Sequence, residues 1–165
     1  MTAGANTERR AFAAEVRAAG RRLEGHVATF GAEARIGSFT ERLAATAFDR
    51  TLVDGRDKLA LVDHDPSRVL ARTRSGTLRL SKDSRGLAFD LDMPETQAGR
   101  DVLALAQRGD VGGMSFGFTV PRGGDAWDGD RRELRSIDLH EISVVLAHPA
   151  YANTTVDVRS AGTAG

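Results

Sequence analysis

Ser115 sits in the stretch Gly112-Gly113-Met114-Ser115-Phe116-Gly117-Phe118, where apolar and small residues alternate. That period belongs to an extended strand. Met114, Phe116 and Phe118 then share one face, and Ser115, Gly117 and Thr119 share the other. A hydroxyl flanked by residues without side chains leaves room for a substrate backbone to lie against it. The chemistry this offers is nucleophilic attack by serine. An ordinary strand with a serine on its solvent face carries the same pattern, so the assignment depends on partners elsewhere in the chain.

A serine hydroxyl needs a base to take its proton, and the base works best when a third group fixes its tautomer. The chain holds four histidines: His26, His64, His140 and His148. His64 follows the strand pattern Leu59-Ala60-Leu61-Val62-Asp63 and precedes Asp65-Pro66, which places it at a strand end where side chains often face a cleft. His148 precedes Pro149. These two are the candidates for base. His26 reads as solvent-facing or filler in the first strand, and His140 alternates with Glu141. For the orienting acid, Glu141 stands out. It opens the run Ile142-Ser143-Val144-Val145-Leu146, and an acid in such a place has to be paired to be tolerated. An ion pair with one of the many arginines would meet that need equally well. If extended, Glu141 shares a face with Ser143 and Val145. Asp63 and Asp65 adjoin His64, but strand neighbours point to opposite faces and reach its ring poorly.

Other chemistries fit less well. Gly113-Met-Ser115-Phe-Gly117 matches the G-x-S-x-G expression of a nucleophile elbow, and Ser115, Asp138 or Glu141, and His148 follow in the required order. The elbow needs a helix directly after the serine, which Thr119-Val120-Pro121-Arg122-Gly123-Gly124 cannot form. His140-Glu141 begins an H-E-x-x-H pattern, but Val144 stands where the second histidine belongs. The chain has no cysteine, hence no thiol nucleophile, disulfide or thiolate metal site. No cofactor or metal is expected.

The elements that must position these groups can be read in outline. Thr7 to Ala19 is expected as a short helix with Phe12 and Val16 on one face, within a flexible arm over residues 1–20. Leu23 to Phe30 reads as a strand. Ser38 or Thr40 is expected to cap a helix running through Phe48. Lys58 to Asp63 reads as a strand, Val69–Thr73 and Thr77–Ser81 as a hairpin around Ser75-Gly76, and Leu87 to Leu91 as a third strand. After Pro94, Thr96 is expected to cap a helix that ends at Gly109. Beyond the Ser115 strand, Arg131–Ile137 and Leu139–Leu146 carry the last long apolar pattern, the latter as a central strand. Val156 and Val158 suggest a short final strand. These spans predict an α+β, mostly β domain over residues 21–159, a closed or nearly closed β-barrel with a few helices outside, followed by a flexible tail over 160–165.

Composition bounds the partners. The chain has 165 residues, 41% hydrophobic and 28% charged, with 23 basic and 23 acidic side chains. It is long enough for one sizeable core. The balanced charge argues against nucleic acid as the main partner. No apolar run reaches the length of a membrane span, and the N-terminal residues do not read as a secretory signal.

Taken together, the residues resemble the tailed-phage prohead (capsid maturation) serine proteases, which are related to the herpesvirus capsid assembly protease, assemblin. The resemblance runs from about Glu24 to Val158. It is carried by Glu24-Gly25-His26-Val27-Ala28-Thr29-Phe30, Glu41 through Phe48, Leu61-Val62-Asp63-His64-Asp65 and Ser84-Arg85-Gly86-Leu87. Arg108 through Phe118 follows, then His140-Glu141-Ile142-Ser143-Val144-Val145 with Pro149-Ala150. The chain departs at Ala44-Ala45-Thr46-Ala47-Phe48, where the family often has a Pro-Gly turn. The resemblance implies a herpesvirus-protease-like fold, with Ser115 as nucleophile and His64 as base. Glu141 matches the acidic position of the phage branch; the herpesvirus branch has a histidine there. It also implies a serine endopeptidase acting on scaffold segments and the major capsid protein inside the assembling prohead, in the host cytoplasm. Cleavage of its own ends is expected too, and self-association is left open. Oxyanion donors are expected near Ala147 to Tyr151. The main rival is a non-enzymatic capsid or scaffold component that keeps the fold; a protease of cellular proteins is the other.

Overall fold

The computed structural model describes residues 6–12 and 14–147. In chain order the elements are β1 (Glu8–Phe12), β2 (Val16–Ala19), β3 (Arg22–Thr29), β4 (Ala34–Ile36), β5 (Phe39–Leu43), β6 (Leu59–Val62), β7 (Asp65–Arg72), β8 (Leu78–Lys82), β9 (Gly86–Asp92), α1 (Gln97–Arg108), β10 (Gly113–Thr119), β11 (Asp125–Asp128), β12 (Arg131–Leu134) and β13 (Asp138–Val145). They form three sheets, ordered β1-β10-β13-β6-β7, β11-β12-β5-β4 and β2-β3-β9-β8. The mostly β reading therefore holds. The closed barrel does not follow from the strand pairing: among the described residues each sheet keeps two edges, and there is one α-helix rather than a few.

The alternation in β10 acts as the sequence suggested. Met114, Phe116 and Phe118 are fully buried. Phe116 lies 5.7 Å from Phe48 edge-on, 6.1 Å from Phe12 in a stacked pair and 5.2 Å from Phe118, measured between ring centroids. Side chains of this size contribute about 1.5–3 kcal/mol each on full burial. The helix after Pro94 also forms as read. Thr96 accepts a hydrogen bond from the Gly99 N–H, Val102 and Ala106 are buried, and Gly109 closes the helix in the left-handed region.

Three local readings are corrected. Residues 8–12 and 16–19 are strands, not a helix or a free arm: β1 pairs with β10 and β2 with β3. The reason lies in Arg10, which is held in a buried ion cluster. It is 2% exposed and its Nε donates to Glu41 at 2.6 Å, while Nη2 donates to Glu8 at 2.7 Å. Arg132 joins the same cluster, donating to Glu8, Glu41 and Asp125. Burial raises the Glu8 pKa, but Arg132 and Arg10 overcome this and hold it below the usual carboxylate range. A buried charge is tolerated only when paired like this, and Arg10–Glu41, Arg132–Glu8 and Arg132–Glu41 join residues far apart in sequence. Residues 39–43 are strand β5 rather than helix for the same reason, since Glu41 has to face the two arginines; the chain then turns through Ala44 to Phe48. Last, β7 and β8 do not form a hairpin ladder. The former pairs with β6 and the latter with β9, so the Ser75-Gly76 turn carries the chain between sheets.

Candidate active site

Three strands of one sheet deliver the site. β13 is central, with β10 antiparallel on one side and β6 parallel on the other. Ser115 pairs with Ser143, and Ser143 with Leu61, so all three residues lie in one row across the sheet. Gly117 pairs with Glu141 and Phe118 with Leu139, which leaves His140 as an extra residue in β13. This bulge lets Leu139 join the core while Glu141 points to the same face as Ser115; without it, residues 139 and 141 would share a face. His140 itself meets Thr119 across the bulge at 2.9 Å. Burial, with Arg56 and Lys58 nearby, holds the His140 pKa below the usual histidine value despite Asp138 and Glu141.

His64 arrives by a different device. Asp63 and His64 both have positive φ, 50° and 59°, and Val62 pairs with Asp65 across them. That is a two-residue hairpin of the kind that demands positive φ at both central positions. Asp at the first position suits it. Histidine at the second stands where glycine is usual, so the backbone is strained at this residue. Neighbouring β13 holds the turn: Asp63 N–H donates to the Val144 carbonyl at 2.9 Å, His64 N–H donates to Ser143 Oγ at 2.9 Å, and Leu146 N–H donates to Asp63 Oδ1 at 3.1 Å.

The turn brings the imidazole between the other two groups. His64 Nε2 lies 2.8 Å from Ser115 Oγ, and Nδ1 lies 2.6 Å from Glu141 Oε2. Ser115 is 2% exposed, and the His64 and Glu141 side chains are 12% and 14% exposed. The arrangement leaves Nδ1 as the proton donor to the carboxylate and Nε2 free to accept from the serine hydroxyl. Glu141 has a second contact: Ser143 Oγ donates to its Oε1 at 3.1 Å.

Of the residues singled out by sequence, Ser115, His64 and Glu141 thus meet. His26 is elsewhere, 2.7 Å from Asp83, and His140 is turned to Thr119. Asp63 and Asp65 do not reach the imidazole; Asp65 accepts from Ser67 instead. The strand continues through Thr119 after Ser115, so no nucleophile elbow is present. His148, most of the loop expected to supply oxyanion donors, and the Val156–Val158 strand lie outside the described residues. Two features escaped the sequence reading. One is the role of Ser143, for which its position two residues from Glu141 on the same strand is the available signal. The space left by Gly117 is filled by Glu141, not open to substrate: a Cβ there would sit 2.5 Å from Oε2.

The family model for the caudovirus prohead serine protease matches residues 9–164. The chain belongs to that family. The chain also shares its fold with the capsid assembly protease of bacteriophage T4, at a TM-score of 0.58 and 9% identity, covering 87% of this chain and 98% of the other. No match is found among curated proteins. The family's match begins at Arg9, inside β1, the strand that lies beside the Ser115 strand.

Proposed function

We propose that this protein is a serine endopeptidase that cleaves scaffold and capsid-protein segments during prohead maturation, with Ser115 as nucleophile, His64 as general base and acid, and Glu141 as orienter. The observation that supports it is the unbroken hydrogen-bonded line from Glu141 through His64 to Ser115, at 2.6 and 2.8 Å, drawn from three separate strands and turns. His64 Nε2 takes the hydroxyl proton as Ser115 Oγ bonds to the scissile carbonyl carbon. The proton passes to the leaving nitrogen as the C–N bond breaks, and an acyl-serine remains. A water then gives a proton to His64 as its oxygen bonds to the ester carbonyl carbon; the bond from that carbon to Ser115 Oγ breaks, His64 returns the proton to Oγ, and the new carboxyl end leaves. Glu141 holds the proton-bearing Nδ1 and stabilises the imidazolium formed in each half. The domain that does this takes in β1 and β2, and so begins before residue 21. Its setting is the assembling shell within the host cell, and cleavage at its own ends belongs to the same reading.

Co-expression with the capsid precursor tests the proposal. Ser115→Ala leaves the precursor at full length on a denaturing gel, while the wild type shortens it. Processing that persists in the variant removes Ser115 from the role.

A further inference from the structure

Ser143 is fully buried in the central strand, and its hydroxyl both donates and accepts a hydrogen bond. Its one proton goes to Glu141 Oε1 at 3.1 Å, and a lone pair receives the His64 N–H at 2.9 Å. Both contacts bear on the line of groups described above. Glu141 reaches across β10 on a side chain with three rotatable bonds, and a single contact from Oε2 to His64 leaves its carboxylate free to pivot about that contact. The second contact, on the other oxygen, removes the pivot. The backbone contact fixes the strained residue from which the imidazole hangs, since no carbonyl or other side chain among the described residues takes that N–H.

We infer that Ser143 is a positioning residue for the peptidase reaction, holding the carboxylate of Glu141 and the backbone of His64 in mutual register through one hydroxyl. The inference rests on the catalytic reading of Ser115, His64 and Glu141. It accounts for a serine, rather than an aliphatic residue, at a fully buried position between Ile142 and Val144. An alanine would fill most of the same space but leave the His64 N–H without this acceptor and a carboxylate oxygen without its donor.

The test is phosphonylation of Ser115 by diisopropyl fluorophosphate, followed by intact mass and analysed for the limiting rate kinact and the half-saturation KI. Ser115→Ala is the control. Ser143→Ala is expected to lower kinact by about 10- to 150-fold, the worth of one hydrogen bond to a charged group, with KI within twofold. Ser143→Thr, which keeps the hydroxyl, is expected to recover most of the rate. In a Glu141→Gln background, Ser143→Ala is expected to cost far less than in the wild type, because the two residues act as a unit. A Ser143→Ala rate within twofold of wild type, or the same loss in both backgrounds, overturns the inference while leaving the catalytic reading intact. Wild-type protein that takes no label at Ser115 overturns that reading, and this inference with it. Should Ser143→Ala fail to fold, Ser143→Cys, close in shape and a weak donor, carries the same comparison and the same limits.

Discussion

Replacing Gly117 by alanine separates the stability of this site from its chemistry. A Cβ at Gly117 falls 2.5 Å from Glu141 Oε2 and 3.3 Å from its carboxyl carbon. Ordinary contact starts near 3.4 Å, so the carboxylate oxygen has to retreat by roughly 0.9 Å. The backbone at Gly117 is not left-handed, and alanine adopts it without strain. The atom displaced is the end of a flexible side chain. Alanine in a strand is also favoured over glycine by about 0.5–1 kcal/mol, so the fold loses little. The same displacement is enough to break the 2.6 Å contact to His64 Nδ1, since hydrogen bonds fade beyond about 3.2 Å. A hydrogen bond to a charged group is worth about 1.5–3 kcal/mol, which corresponds to a rate loss of about 10- to 150-fold. Phosphonylation of Ser115 reads the rate, and a thermal melt reads the fold, with Tm expected within about 4 °C of wild type. Gly117→Ala protein that reacts within twofold of wild type would refute the idea that Glu141 must occupy the space above Gly117. So would a rate loss matched by unfolding.

Two further outcomes concern the charged cluster that ties β1 to the β5 and β12 strands. Arg10→Ala leaves Glu41 buried with one cation fewer and is expected to cost about 3–5 kcal/mol in urea unfolding; a change below about 1 kcal/mol would mean the cluster does not hold β1 in place. The folded-state pKa of Glu8 is depressed, so the unfolded chain binds its proton more readily, and the stability Glu8 contributes is present above the unfolded value of about 4.3 and lost as pH falls below it. Melting from pH 6 to 3 is expected to show a steeper fall for the wild type than for Glu8→Gln, and parallel curves would contradict the assignment.

How far the sequence carried depends on whether each signal was local. The strand around Ser115 was legible because its two faces differ so plainly in Met114, Phe116 and Phe118 against Ser115 and Gly117. The helix after Pro94 was legible from Thr96 and Gly109. Glu141 could be singled out because an acid opening an apolar strand needs a partner. Strand β1 was not legible, because what fixes it is an ion cluster joining residues 8, 10, 41, 125 and 132, which no window of the chain contains. The helix expected through residue 48 failed for the same cause. The exact seat of His64 escaped as well. Reading it as the end of a strand was close, but the hairpin turn that swings it back over Ser143 places a histidine where the usual signal is glycine. The closed barrel was a fold-level expectation, and the strand pairing divides the same strands among three open sheets.

The strand that bears Ser115 is an interior plank: β1 runs along one side of it and β13 along the other, from Met114 to Phe118. Its backbone amides and carbonyls are already spent on those neighbours. A polypeptide therefore cannot zip onto this strand in the plane of the sheet, as it would onto an open edge; under the proposed function, a substrate has to cross over the top and meet the hydroxyl from above. The same proposal then requires the amides that cradle a developing negative charge to come from a segment other than this strand.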